Sequence, residues 1–237
     1  MAPIPPPKPQ KFHKDPRISV NKLAEYLATN KASRRERILR DSKFPPTFQV
    51  IRYEPTLELA KRFLVGKVPN TQSLQVAISE YEATLVNGDF EERMKKSNVE
   101  AMKLFLGLAP TLDFHEATLT MGEHAPKKLP IADVAVSVRP DVLVTMSKKG
   151  AKQSGAIKLN ISKGSPHTKD SAEYAGALLR HYLVSQGGDD CDYRCCFTLD
   201  IFSKKLVEAP KAITNRLKDA EAACAEIARQ WDSIKAA

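Results

Sequence analysis

Val138–Lys163 reads VRPDVLVTMSKKGAKQSGAIKLNISK, and the parsing of this stretch decides the fold. Two short apolar runs, Asp141–Ser147 and Gly155–Ile161, flank a polar, lysine-rich turn, SKKGAKQSG. Runs this short, rich in β-branched residues and bounded by turn formers, predict successive strands of an antiparallel meander. An aspartate opens the first strand directly after a proline, and the second carries Lys158 among Ala156, Ile157, Leu159 and Ile161. A lysine inside so apolar a strand is unusual. If Asp141 and Lys158 share one end of adjacent strands, a carboxylate suited to Mg²⁺ lies beside an ammonium suited to a nucleophilic water or phosphate oxygen. The plainer alternative is that Asp141 merely starts a strand and Lys158 packs its stem while its ammonium reaches solvent.

On the N-terminal side of this segment, His115–Met121 and Asp133–Val138 carry the same strand signature. On the C-terminal side follow a helical pattern at Thr168–Val184, a Gly187-Gly188 break, a strand at Arg194–Phe202 and a short return at Lys205–Glu208. A last helix starts near Pro210, with Ile213, Leu217, Cys224, Ile227, Trp231 and Ile234 on one stripe, the mark of core packing.

Before Pro110 the chain reads as helices: Leu23, Tyr26 and Leu27 at helical spacing, an arginine-rich run at Ala32–Leu39, then Pro55–Val65, Thr71–Val86 and Phe90–Leu106. Thr47–Tyr53 alternates like a short strand. The first two helices allow a helix-turn-helix reading in which Arg34 and Arg35, with Arg37 and Arg40, face phosphates. A solvated basic face explains the same residues. The N-terminal helices are also a candidate docking surface for a protein partner. The expected organisation is a disordered, basic, proline-rich arm over 1–16, a helical region over 17–97, and an α/β core over 98–237. The fold class is α/β of the α+β type, a mixed sheet of about four to six strands flanked by helices.

The formal charge of +9 is the field of a protein that concentrates polyanions, and nucleic acid, DNA foremost, is the expected partner. Ordinary apolar and charged fractions, 42% and 27%, exclude wholesale disorder and membrane residence. With no signal segment and no bilayer-length apolar run, the expectation is a soluble cytoplasmic protein with reduced thiols. Cys191, Cys195, Cys196 and Cys224 form no paired CxxC knuckles, and Cys195 and Cys196 on a strand point to opposite faces, so zinc has no support. Phosphate-loop, GxSxG and HExxH patterns do not occur.

Pro140-Asp141 followed by Ala156-Ile157-Lys158 resembles the PD-(D/E)XK nuclease superfamily, the restriction-endonuclease-like fold that includes RecB-type nucleases. The order of elements from about residue 98 to 235 agrees with it. Ala156 departs from the motif, standing where the family has its second acid. Asp170-Ser-Ala-Glu-Tyr174 has the spacing of the QxxxY motif, with aspartate for glutamine. The resemblance implies that Asp141 binds Mg²⁺ and that Glu100, Asp170 or Glu173 completes the metal site. It implies that Lys158 positions the attacking water and that Tyr174 orients the lysine or the scissile phosphate. The basic turn of Lys148, Lys149 and Lys152 would attract the nucleic-acid backbone beside the site. The expected function is a Mg²⁺-dependent, nuclease-like protein acting on phosphodiesters, active or degenerate. The alternative is a non-catalytic nucleic-acid-binding or protein-assembly module.

Overall fold

A computed structural model describes residues 12–45, 52–148 and 150–236, with Lys148 as backbone alone. The chain runs β1 (Arg17–Ser19), α1 (Val20–Ala28), α2 (Ala32–Lys43), α3 (Glu54–Leu64), α4 (Thr71–Ala83) and α5 (Asp89–Leu108). It continues through β2 (Thr118–Met121), β3 (Leu129–Ile131), β4 (Val134–Ser137), β5 (Val142–Lys148) and β6 (Ala151–Asn160). The last elements are α6 (Lys169–Ser185), β7 (Cys191–Asp200), β8 (Lys205–Glu208) and α7 (Thr214–Gln230). The class is α+β, as the residue patterns predict.

The principal sheet has five strands in the order β2-β5-β6-β7-β8. All its pairings are antiparallel except β6 with β7, whose parallel crossover is made by α6. Both faces are covered, so apolar side chains alternate between two cores. Val142, Val144, Ile157, Leu159, Phe197 and Leu199 join the core that α3, α4 and α5 complete. Ala156 and Cys196 point the other way, into a core shared with α1, α2, α6, α7 and a second sheet. Cys195 lies in the first core and Cys196 in the second, as the period of two requires.

The second sheet corrects the expected meander. β4 does not lie in the main sheet; it pairs in parallel with β1, Ile18 opposite Val136, and antiparallel with β3. The chain leaves β4 through Arg139 at φ 41°, left-handed backbone, and Pro140, which together redirect it into β5. Within the predicted arm over 1–16, the described residues 12–16 are held against the rest of the chain. Residues 1–11 lie outside the described residues, but His13 N donates to Lys43 O at 2.8 Å and Trp231 Nε1 donates to His13 O at 3.2 Å. Burial of Trp231 against the chain entering β1 supplies the ordering free energy that a solvated tail lacks. Of the predicted extended segment Thr47–Tyr53, all but Arg52 and Tyr53 lies outside the described residues, and those two form the turn into α3.

Local chemistry accounts for the helix starts near the sheet ends. Ser19 caps α1 by accepting from Lys22 N, and Thr168 caps α6 by accepting from Ser171 N at 3.2 Å. Val20, Leu23, Ala24 and Tyr26 are buried, so one face of α1 is pressed into the second core. This sets the first turn of α1 over the C-terminal end of β6. Among the described residues no helix is long and apolar enough to cross a membrane.

Candidate functional site

Val142 pairs with Ile157, and Asp141 N donates to Ile157 O at 3.0 Å, so Asp141 and Lys158 lie across from each other where β5 begins. Both are out of phase with the Val142, Val144, Ile157 and Leu159 side chains and therefore share the opposite face of the sheet. Lys158 Nζ donates to Asp141 Oδ2 at 2.8 Å and to Arg139 O at 2.9 Å. Leu159 N donates to the same Oδ2 at 2.8 Å. Asp141 is 4% exposed, and the Lys158 side chain 13%. The left-handed turn at Arg139 thus does two jobs: it redirects the chain and aims a carbonyl at the ammonium. Gly122 N donates to Asp141 O at 3.1 Å, and a Cβ on Gly122 would lie 2.1 Å from Pro140 O. Only glycine lets the loop after β2 press this close behind the aspartate.

Asp141 and Lys158 open onto a cavity of about 500 Å³ whose wall also holds Asn21, Lys22, Arg52 and Lys163. Asn21, in the first turn of α1, donates from Nδ2 to Leu159 O at 3.0 Å and to Asn160 Oδ1 at 3.3 Å. Asn160 passes the connection inward, donating to Asp200 Oδ2 at 2.6 Å. Asp200, 2% exposed, also accepts from His167 N and Ser203 N. Burial holds the His167 imidazole below its usual pKa, against the pull of Asp200 and Glu25. A connected polar network therefore fixes the floor of the cavity, although Asn21 Oδ1, His167 Nε2 and Ser203 Oγ within it are buried without a hydrogen-bond partner.

Arg52 reaches the wall from the other side. Asn98, 1% exposed on α5, donates to Arg52 O at 2.8 Å and accepts from Thr56 Oγ1 at 2.7 Å. Lys163 is bound to Glu100 at 2.7 and 2.8 Å, so the carboxylate flanks the cavity with both oxygens engaged. Burial raises the pKa of Tyr53 in the same wall, with smaller effects of Arg52 and Glu100.

The other residues singled out by the resemblance lie elsewhere. Glu173 forms an ion pair with Arg216 on α7. Tyr174 donates to Asp219 Oδ2 at 2.8 Å, and burial together with that carboxylate pushes its pKa up to about 12. Asp170, exposed in the first turn of α6, acts on Tyr174 through its charge. The structure therefore joins Asp141 to Lys158, sets Glu100 at the flank, and turns Glu173 and Tyr174 toward α7. Ala156, the position where the family carries its second acid, is fully buried among apolar neighbours.

The basic turn is not beside the site, which corrects that expectation. Lys152 pairs with Ser147 and Lys148 with Ala151, at the far end of the hairpin from Asp141. Six residues of strand separate Ser147 from Asp141, roughly 20 Å at the usual rise. Lys152 is 71% exposed and sits 3.8 Å from Asp190 Oδ2; Lys149 lies outside the described residues. Arg34 is paired with Glu25, and Arg35 donates to Tyr26 O and Thr29 O while stacking on the Tyr26 ring. Those two arginines hold the turn between α1 and α2.

Lys22, Arg52 and Lys163 were not marked by any motif. Lys163 ends the stretch that decides the fold, but Lys22 and Arg52 come from segments more than eighty residues away, and no local pattern marks them. The donor set is a poor fit to Mg²⁺. Asp141 Oδ2 is taken by Lys158 and Leu159, Lys22, Arg52 and Lys163 line the same cavity, and Glu100 is held by Lys163. Among the described residues no three His, Cys, Asp or Glu side chains group as metal ligands. No family model matches the chain, and no curated protein matches it in sequence.

Proposed function

We propose that this protein binds nucleic acid, DNA in the first instance, through a backbone phosphate held in the Asp141–Lys158 cavity, on a nuclease-like scaffold that does not cut its ligand. The observation that carries the reading is the charge of the wall: Lys22, Arg52, Lys158 and Lys163 stand against the single carboxylate of Asp141. Glu25 and Glu100, behind Lys22 and Lys163, reduce this excess without reversing it. A phosphodiester fits such a wall, since each cation offers charge-assisted donors to a phosphate oxygen. The chain's net charge of +9 adds a long-range attraction for the same ligand.

Resemblance to the PD-(D/E)XK superfamily rests on Pro140-Asp141 facing Lys158 from the adjacent strand. Hydrolysis in that scheme needs a metal held by at least one further acid, and Ala156 leaves its place to the core. The cavity therefore suits recognition of the phosphate better than attack on it. Within this reading Asp141 holds the Lys158 ammonium in place rather than binding a metal ion.

The test is fluorescence anisotropy with labelled duplex DNA, single-stranded DNA and RNA across a salt series, alongside a cleavage assay with Mg²⁺ and Mn²⁺. The expected result is binding whose logarithm falls linearly with the logarithm of salt, weakened by Lys22→Ala and Arg52→Ala, without cleavage. Metal-dependent cleavage abolished by Asp141→Asn would overturn the non-catalytic reading and establish a phosphodiesterase. A flat titration at low salt with all three ligands would overturn the nucleic-acid reading and favour protein assembly.

A further inference from the structure

Cys191 opens β7 and Cys196 lies five positions on, a separation that would carry the two thiols roughly 16 Å apart in a regular strand. Their sulfurs are 3.7 Å apart. The reason is an irregularity in the pairing with β6: Ser154 is opposite Cys191, while Ala156 is already opposite Cys196. Asp192, Tyr193 and Arg194 are extruded between them, forming a bulge of three extra residues.

The bulge is built, and several interactions hold it. Asp192 accepts from Arg194 N and Nε at 2.9 Å and from Gln153 Nε2 at 3.0 Å. The guanidinium groups of Arg194 and Arg180 approach the Tyr193 ring, at 5.6 and 6.0 Å from its centre. Gly155 lets the bulged strand close down, because a Cβ there would sit 2.1 Å from Cys195 O. Ser154 Oγ donates to Asp190 Oδ1 at 2.6 Å and pins the entry to the strand.

The two thiols differ in access. Cys191 is half-buried, whereas Cys196 is fully buried in the core shared with α6 and α7. The hydrogen bond from Cys196, with a smaller contribution from Arg180, lowers the pKa of Cys191, while the same bond and burial raise that of Cys196. Cys195 faces the opposite core and is raised to about 11 by burial.

We infer that Cys191 and Cys196 form an oxidation site for peroxide, in which Cys191 reacts first and Cys196 resolves it as an intrastrand disulfide. The Cys191 thiolate attacks one peroxide oxygen, the O–O bond breaks, and the departing hydroxide takes up the thiol's proton as water. Cys196 sulfur then displaces the hydroxyl from the Cys191 sulfenic acid; the S–O bond breaks, the S–S bond forms, and the hydroxyl leaves with the Cys196 proton as a second water. Two thiols lose two electrons, and one peroxide is reduced to two waters. Closure from 3.7 Å to a bond of about 2 Å asks for side-chain rotation, since the bulge already brings the backbone segments together. This site is independent of whatever the Asp141–Lys158 cavity binds.

The experiment treats the full chain with hydrogen peroxide, blocks remaining thiols with an alkylating reagent in denaturant, and digests with trypsin without reduction. Cleavage after Arg194 separates the two cysteines, so the disulfide appears as peptide 181–194 joined to peptide 195–204 with loss of two hydrogen atoms. The link is expected to form in the wild-type chain, to persist in Cys195→Ser, and to vanish in Cys196→Ser. In Cys196→Ser a sulfenic acid trapped by dimedone is expected on Cys191. If the variants fail to fold, fragmentation of the wild-type linked peptide between Cys195 and Cys196 decides the matter, with the alkyl group expected on Cys195 and the bond on Cys196. Unlinked peptides at full peroxide consumption, or a link that survives Cys196→Ser and is lost in Cys195→Ser, would overturn the assignment.

Discussion

The Asp141 carboxylate accepts both the Lys158 ammonium and the Leu159 amide at 2.8 Å, all on one oxygen, at the start of β5. One side chain thereby fixes two consecutive residues of the neighbouring strand. The pair is a fastening of the sheet end as well as one wall of the cavity, and the consequences for stability can be separated from those for binding.

Lys158→Met removes the ammonium and leaves a carboxylate 4% exposed that still accepts from the Leu159 amide. Breaking a pair buried to this degree costs about 3–5 kcal/mol, whereas replacing both members can be close to neutral. Urea unfolding is expected to give a large loss for Lys158→Met and partial recovery in the double variant with Asp141→Leu. Additive losses would show that the two groups do not act on each other.

Gly122→Ala and Gly155→Ala each force a methyl group to within 2.1 Å of a backbone oxygen, of Pro140 and Cys195 respectively. Neither oxygen is the free end of a side chain, so the backbone must shift, at about 1–3 kcal/mol or more. Gly164→Ala meets nothing within 4 Å and is expected to stay within about 0.5 kcal/mol of the parent. Thermal unfolding of the three variants checks the ordering. Under the nucleic-acid reading, Gly122→Ala is also expected to weaken DNA binding, because the shifted backbone carries Asp141.

Asn98→Ala strips a buried residue that anchors Arg52 O and the Thr56 hydroxyl. Unpaired buried groups cost about 1–3 kcal/mol each, so a loss of that order is expected in denaturant titration. Under the nucleic-acid reading the same change loosens Arg52 and raises the dissociation constant. Asn70→Ala, which removes the helix cap of α4 away from the cavity, is expected to lower stability and leave binding intact.

Tyr174 has a pKa of about 12, raised from 10.0 by burial and by Asp219. A raised folded-state value means that its stabilising contribution is whole below pH 10 and is lost as pH climbs through about 12. Ultraviolet titration of phenolate formation is expected to lose its component near pH 12 in Tyr174→Phe. That variant should also lose less stability between pH 10 and 12 than the parent; equal losses would place the titration elsewhere.

Much of the fold was legible in the order of the residues. Alternation in Asp141–Ser147 and Gly155–Ile161, helical spacing in Thr168–Val184, and the stripe of Cys224, Ile227 and Trp231 are periodic, and a regular element buries one face at its own period. Strand β8 occurs at Lys205–Glu208 as predicted, and the other strands of the main sheet shift by a few residues. Asp141 and Lys158 stood out for the same reason, as charges breaking an apolar pattern. β4 carries the same alternation as its neighbours, yet it joins β1, because the backbone turn at Arg139 and the partner strand at Arg17–Ser19 are not written in its own residues.

By itself, the sequence determined where strands and helices form and which two charges must face each other if those strands pair in register. Only the tertiary structure decided that Lys22 and Arg52 complete the wall, that Glu173 and Tyr174 turn to α7, and that Cys191 meets Cys196. The physical reason is range. Periodicity follows from backbone geometry within a few residues, whereas a cavity and a bulge arise where distant segments are pressed together by a shared core, and no local pattern encodes that meeting.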